Sequence, residues 1–267
     1  MSWTLAITNH KGGVGKTTTA VNLAAALESF GRSVLLVDMD PQGNATVSSG
    51  FEKNGVERHV GQVLLDEFSA SEVLLETDPG GYDLLPATID LAGAEFQLVT
   101  RIGRETKLRQ AIAPLVPEYD FILIDCPPAL NTLTINSLAA ADDVLIPVQC
   151  EYFALEGLSA LLDTIEQVRL ALNPDLGVAG VLRTLYDARN RLAQDVSDQL
   201  RSHFGERVFD ALVPRNVRLA EAPSHGLPAM FYDKSSTGAE AHADVARELV
   251  KRARQRGRLG RPAALRQ

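Results

Sequence analysis

The sequence predicts an α/β fold, a doubly wound and mostly parallel sheet flanked by helices. Short apolar runs recur between helical patterns along the chain. Several of them are unbroken Val, Ile and Leu without polar alternation, as strands covered on both faces require. The first run passes directly into a glycine-rich turn and then a helix, which is a strand-loop-helix unit of such a sheet. The runs lie at 3–8, 33–38, 83–86, 121–125, 143–148, 177–185 and 208–213.

Helical periodicity fills the gaps. After Ala154, the residues Leu155, Leu158, Leu162, Ile165 and Val168 recur at three- and four-residue steps and mark one buried stripe. Residues 50–81 are less periodic and read as short helices and loops. With 267 residues, 45% of them hydrophobic, the chain can bury one substantial core. The expected organisation is one domain over 1–256 followed by a flexible basic tail at 257–267, where Gly257, Gly260 and Pro262 interrupt the arginines.

No apolar run approaches the roughly 18 residues that a membrane span needs, so a cytoplasmic location is expected. Cys126 and Cys150 form neither a CxxC pair nor a disulfide framework and read as small buried thiols. The formal charge of −8 hides an asymmetry: seven basic residues and no acid follow from Lys251 onward, leaving 19 basic against 34 acidic groups, a net −15, over residues 1–250. An acidic body repels nucleic acid over most of its surface, so any contact with DNA must come from a local basic patch.

The glycine-rich turn is Lys11-Gly12-Gly13-Val14-Gly15-Lys16-Thr17. Gly12, Gly13 and Gly15 permit left-handed backbone angles that aim N–H groups at phosphate oxygens, and the helix that follows directs its positive end at the same anion. Lys16 can then reach the outer phosphates, and the Thr17 hydroxyl can ligate magnesium. The usual phosphate-loop pattern starts with a glycine where His10 stands here. Lys11 adds a second cation at the start of the loop, poorly placed for its own nucleotide; it serves either a neighbouring subunit or only the solvated surface.

Two apolar strands run into aspartates, Asp38 and Asp40 after 34–37 and Asp125 after 121–124. In a parallel sheet they end at the edge where the phosphate loop opens. Asp125 suits holding Mg²⁺ through water, Asp40 suits orienting or deprotonating an attacking water, and Asp38 suits bracing the loop.

These residues resemble the deviant Walker-A ATPases of the ParA/MinD group, and within it the Soj-like chromosomal ParA proteins. The resemblance covers nearly the whole chain: 11–19 (KGGVGKTTT), 37–46 (VDMDPQGNAT), 124–128 (IDCPP), 147–157 (PVQCEYFALEG) and 213–226 (VPRNVRLAEAPSHG). The family has lysine-glycine-glycine in place of the leading glycine, which accounts for His10. The resemblance implies an ATP- and Mg²⁺-dependent homodimer in which Lys11 reaches the partner's nucleotide. It implies a nucleotide site made of residues 11–18, ending at Thr18, with Pro214 and Asn216 against the adenine and Asp40 positioning the water. It further implies non-specific DNA binding at Arg189, Arg215 and Arg218, extended by Arg183, Arg191 and Lys234. A ParB-like, centromere-binding partner would accelerate slow hydrolysis, and the protein would associate with the nucleoid.

Three rivals share the loop. A MinD-like membrane switch needs large apolar residues on its terminal helix, and the tail offers Leu259 and Leu265 among glycines and a proline. An iron–sulfur carrier needs exposed cysteines at cluster spacing. A small-molecule kinase needs an acceptor pocket that no motif supplies.

Overall fold

The computed structural model describes residues 2–259. Seven strands make one sheet: β1 (Trp3–Ile7), β2 (Val34–Asp38), β3 (Leu75–Glu76), β4 (Asp83–Leu85), β5 (Phe121–Asp125), β6 (Asp143–Gln149) and β7 (Gly177–Thr184). Their order is β3-β4-β2-β5-β1-β6-β7. Neighbours run parallel except β3, which lies antiparallel to β4 at one edge. The fold predicted from sequence is therefore the fold observed.

β1, β2 and β5 are buried at every position. Successive residues feed opposite cores: Ala6, Leu35, Val37, Ile122 and Ile124 lie on one face, and Leu5, Ile7, Leu36, Phe121 and Leu123 on the other. Both faces demand apolar side chains, which removes polar alternation from these strands. The helices Lys16–Glu28 and Thr237–Gln255 cover the second face through Leu23, Leu27, Val245 and Leu249. The helices Leu91–Leu98, Thr132–Ala140 and Ala154–Ala171 cover the first. In the last of these, Leu158, Ile165 and Val168 are buried as the periodicity predicts, Leu161 joins them, and Leu155 and Leu162 flank the stripe half-buried.

β1 has β5 on one side and β6 on the other, and the loops leaving these strands diverge at their carboxyl ends. That divergence opens a crevice at the edge where a doubly wound sheet binds its ligands. Residues 53–76, less periodic in sequence, form two 3₁₀ turns, the short helix Val60–Leu64 and β3. β3 has only two residues and could show no period.

The expected strand at 208–213 is corrected. This segment makes single bridges, Val181 to Val208 and Tyr186 to Pro214, and no strand. Side chains occupy the backbone groups a ladder would use. The Arg183 guanidinium donates to the carbonyls of Phe209 (2.9 Å) and Asp210 (3.0 Å). The Glu248 carboxylate accepts from the N–H groups of Asp210 (3.1 Å) and Ala211 (2.9 Å). It also pairs with Arg252 at 2.7 Å. Arg183 is thereby buried to 3% exposure, so it cannot extend a DNA-facing surface as the sequence suggested.

The basic C-terminal run is partly tied to the body. Arg256 pairs with Asp143, Arg258 pairs with Asp142 at 2.9 Å, and Leu259 is buried. The rest of the expected tail, 260–267, lies outside the described residues. No helix among the described residues is long and apolar enough to cross a membrane.

Glu248→Ala should strip acceptors from two backbone N–H groups and leave Arg252 half-buried without its carboxylate. The expected loss is about 2–4 kcal/mol, read as a lower urea midpoint at unchanged slope. Asp244→Ala, one turn away on the exposed side, should stay within about 0.5 kcal/mol of wild type.

Candidate functional site

Residues 8–15 leave β1 and cross the carboxyl edge of the sheet before the helix Lys16–Glu28 begins. Two side chains pin this loop. Asn9 donates to the Pro147 carbonyl (2.8 Å) and accepts from the Lys11 N–H (3.0 Å). Thr184, at the end of β7, donates to the Val14 carbonyl (2.7 Å). Gly13 and Gly15 take left-handed angles, φ 76° and 86°, as predicted; Gly12 does not, which corrects one of the three. A Cβ at Gly12 or Gly13 would meet no protein atom within 4 Å, so packing within the protein does not dictate glycine there. The positive φ of Gly13 calls for glycine by itself, whereas at Gly12 neither backbone angle nor packing does.

The helix Lys16–Glu28 starts on Gly15 with no side-chain cap and no acid in its first turn. Its first N–H groups are thus available to an anion. Lys16 is buried, with its ammonium 3.2 Å from the Lys11 carbonyl oxygen. Burial pulls its pKa down, and Asp125, Cys126 and Asp40 partly hold it up.

Beside this cation the ends of β2 and β5 place Asp38 and Asp125 opposite one another in register. Both are fully buried. Asp38 accepts from the Thr46 N–H (2.9 Å), the Thr46 hydroxyl (2.8 Å) and the Asp40 N–H (3.1 Å). The Thr46 hydroxyl in turn accepts from the Ala87 N–H (2.9 Å). Asp38 therefore braces the loop after β2, and not the phosphate loop that the sequence suggested. Burial raises its pKa to about 6 against the pull of those hydrogen bonds.

Asp125 differs: neither carboxylate oxygen has a hydrogen-bond partner among the described residues. Burial, reinforced by Asp38, pushes its pKa well above the carboxylate range, while Thr17 and Lys16 draw it down. Two orphaned oxygens beside a hydroxyl fit a hydrated divalent cation, which would satisfy them and offset the repulsion. Asp40 is buried near the same edge and accepts from the Gln42 N–H at 2.9 Å.

Lys11 goes elsewhere. Its side chain is half exposed, and its ammonium pairs with Glu151, just past β6. Next to Glu151 the aromatic rings of Tyr152 and Phe153 stand 76% and 67% exposed.

The loops after β7 and around Pro214 are joined by the Tyr186–Pro214 bridge and by the Arg215 N–H bonded to the Tyr186 carbonyl (3.0 Å). This brings Arg189, Arg215 and Arg218 to one exposed edge. Arg189 forks onto Asp187, and Arg218 pairs with Glu221 and Asp233. Arg215 has no ion pair among the described residues. Arg191 and Lys234 are exposed as well.

Asn216 caps the helix Val217–Glu221, its carbonyl accepting from the N–H groups of Arg218 (2.8 Å) and Leu219 (3.4 Å), and its amide donates to Thr237 (2.8 Å). It lines a cavity with Gly15 and Thr18; Pro214 lies outside that lining. Both cysteines are buried and free, and burial pushes the Cys126 thiol up to about 12 and Cys150 to about 11. Exposed thiolates for an iron–sulfur cluster are thus disfavoured.

Sequence reasoning missed Asn9, Thr46 and Thr184. Asn9 and Thr46 stand within the motifs quoted above or beside them, but Thr184 is 170 residues from the carbonyl it holds and has no local signal. Glu151 with its aromatic neighbours was also missed, although it lies inside the matched stretch 147–157.

Residues 2–178 match the family model described as an AAA domain. With that match and the loop geometry, the chain is a P-loop ATPase. Full-length relatives define its branch. The sporulation initiation inhibitor protein Soj of Bacillus subtilis is 52% identical over 92% of this chain and 97% of its own. The chromosome partitioning protein ParA of Myxococcus xanthus is 51% identical over 93% of this chain and 88% of its own. The chain belongs to the Soj/ParA family of chromosome-partitioning ATPases. Among solved structures, one described as cobyrinic acid a,c-diamide synthase of Mycobacterium smegmatis, with bound ATP analogue and magnesium, superposes with a TM-score of 0.85. It is 42% identical over 96% of this chain and 97% of that one.

The raised Asp38 pKa has a signed consequence. The folded protein binds this proton more tightly than the unfolded chain, so the associated stability is complete below 3.8 and is lost as pH rises to about 6. Wild type should lose ground to Asp38→Asn across that window in urea unfolding of the nucleotide-free protein, with the gap flat on either side. A constant gap would show that Asp38 titrates at an ordinary value.

Proposed function

We propose that this chain is an ATP-driven switch for chromosome or plasmid partitioning, in which MgATP closes a homodimer, the dimer binds DNA without sequence preference, and hydrolysis releases it. The observation that carries the reading is the divergence of two lysines from one short turn. Lys16 is buried against its own loop, and Lys11 is held outward on Glu151.

In this reading residues 11–18 cradle the triphosphate, with Lys16 on its outer phosphates. The Thr17 hydroxyl and, through water, Asp125 would hold the magnesium, whose charge offsets that of the phosphates. Asp40 orients the attacking water. Lys11 exchanges Glu151 for the partner's nucleotide, where its charge stabilises the transferred phosphate as an arginine finger does. An exposed ion pair is worth at most about 1 kcal/mol, so the exchange is cheap. Tyr152 and Phe153, exposed beside Glu151, supply apolar surface for the self-association that the exchange needs. Asn216 contributes to the adenine site, with Pro214 beside it.

Arg189, Arg215 and Arg218 form the DNA surface of a single ATPase domain, and dimerisation doubles it. Arg189 and Arg218 must leave their own carboxylates to contact phosphate, so Arg215 binds at least cost. A ParB-like protein on centromere-like DNA accelerates turnover, and the ATP state associates with the nucleoid in the cytoplasm. This reading is preferred to the synthase activity printed for the mycobacterial structure because the Soj and ParA relatives are more similar over nearly their whole length.

The test is co-sedimentation with DNA in ATP, ADP and no nucleotide across a salt series. Asp40→Ala should remain DNA-bound in ATP without hydrolysing it, and Lys16→Ala should fail to bind nucleotide. Arg215→Ala should weaken binding and flatten the log–log salt slope by about 2 per dimer. Retention independent of ATP, or an unchanged slope, would contradict the reading.

A further inference from the structure

The Val14–Gly15 peptide lies at the centre of the phosphate loop, and its own residues do not fix its orientation. Rotating this plane changes ψ of Val14 and φ of Gly15, and glycine adopts either sign of φ at little cost. A side chain from β7 decides the matter. The Thr184 hydroxyl donates to the Val14 carbonyl oxygen at 2.7 Å, and both residues are buried. Thr184 has little freedom of its own. It ends β7 in register with Gln149 of β6. The residues on either side of it are tied to Val213, whose N–H donates to the Arg183 carbonyl (2.8 Å) and whose carbonyl accepts from the Tyr186 N–H (3.1 Å).

A trans peptide sets its N–H and its C=O on opposite sides. With the Val14 carbonyl turned onto Thr184, the Gly15 N–H faces the other way, and it has no acceptor among the described residues. The same holds for every backbone N–H from Gly12 to Thr18. Successive free N–H groups around a turn make a concavity for an anion. Turned over, the Val14–Gly15 peptide would present a carbonyl oxygen to that concavity in place of an N–H, and its dipole would oppose a phosphate.

We propose that Thr184 is a positioning residue for the nucleotide, its hydrogen bond fixing the Val14–Gly15 peptide with the N–H toward the phosphates, so that the loop holds its anion-binding form before the ligand arrives. Preorganisation of this kind strengthens binding by removing the cost of ordering the loop. The inference rests on the reading that the loop holds a nucleoside triphosphate, and gives β7 a part in phosphate recognition that the loop motif does not contain.

Calorimetric binding of MgADP and of magnesium pyrophosphate to wild type, Thr184→Val and Thr184→Ser tests it. Pyrophosphate engages the loop without a base, so it separates an effect on the phosphates from one on the neighbouring cavity, which Thr184 also lines. Thr184→Val keeps the shape and loses the donor, and should weaken both ligands by about tenfold. Thr184→Ser keeps the donor and should stay within about twofold of wild type. Loss of ADP affinity alone, unchanged affinity for both ligands in the valine variant, or an equal loss in the serine variant would overturn the assignment and leave the loop reading intact. If wild type bound neither ligand, the loop reading would fail and this inference with it. A measurement on wild type guards against a valine variant that does not fold: the amide proton resonance of Gly15 should move downfield on adding either ligand. A resonance that both ligands leave unmoved would refute the contact.

Discussion

Two carboxylates forced into register at the ends of adjacent buried strands are the constraint on which the rest of the site depends. The β2–β5 pairing sets Asp38 beside Asp125, both fully buried; burial raises the pKa of each, and Asp38 raises that of Asp125 further. The fold resolves the conflict asymmetrically. Asp38 receives three hydrogen bonds from Thr46 and Asp40 and becomes a brace. Asp125 receives none and faces the Lys16 side of the loop. A free protein thus carries an unsatisfied carboxylate at the point where a metal-bound triphosphate would satisfy it. The cost of that arrangement is local, and in the proposed function it is ligand binding that removes it.

The same economy governs the surface charges. Three of the basic groups that face outward near the site already hold an acid of their own: Lys11 holds Glu151, Arg189 holds Asp187, and Arg218 holds Glu221 and Asp233. These exposed pairs are weak. They neutralise part of the basic edge, and in the proposed switch they are the pairs exchanged for phosphate. Arg183, which looked like a member of the patch, instead serves as a structural clamp on Phe209 and Asp210.

Much of this was legible in the sequence because its causes are local. Unbroken apolar strands announce burial on both faces, Gly13 and Gly15 announce positive φ, and an aspartate after each strand announces the carboxyl edge. What stayed hidden has non-local causes. The segment 208–213 is apolar enough for a strand, but Arg183 and Glu248, distant in sequence, take its backbone groups. Thr184 pins the phosphate loop across 170 residues. Gly12 reads as a third left-handed glycine, yet the loop reaches its turn through Gly13 and Gly15 alone.

The central claim is that Lys11 acts on the nucleotide of the other subunit, and mixing two inactive proteins tests it most directly. Lys11→Ala keeps Asp40, and Asp40→Ala keeps Lys11, so in a mixed dimer one site receives both groups only if the lysine crosses the interface. Equimolar mixing should then restore about a quarter of wild-type ATP turnover, since half the dimers are mixed and each has one complete site. If mixed dimers form and turnover remains at the level of the separate variants, Lys11 works within its own subunit or not at all, and the account is wrong.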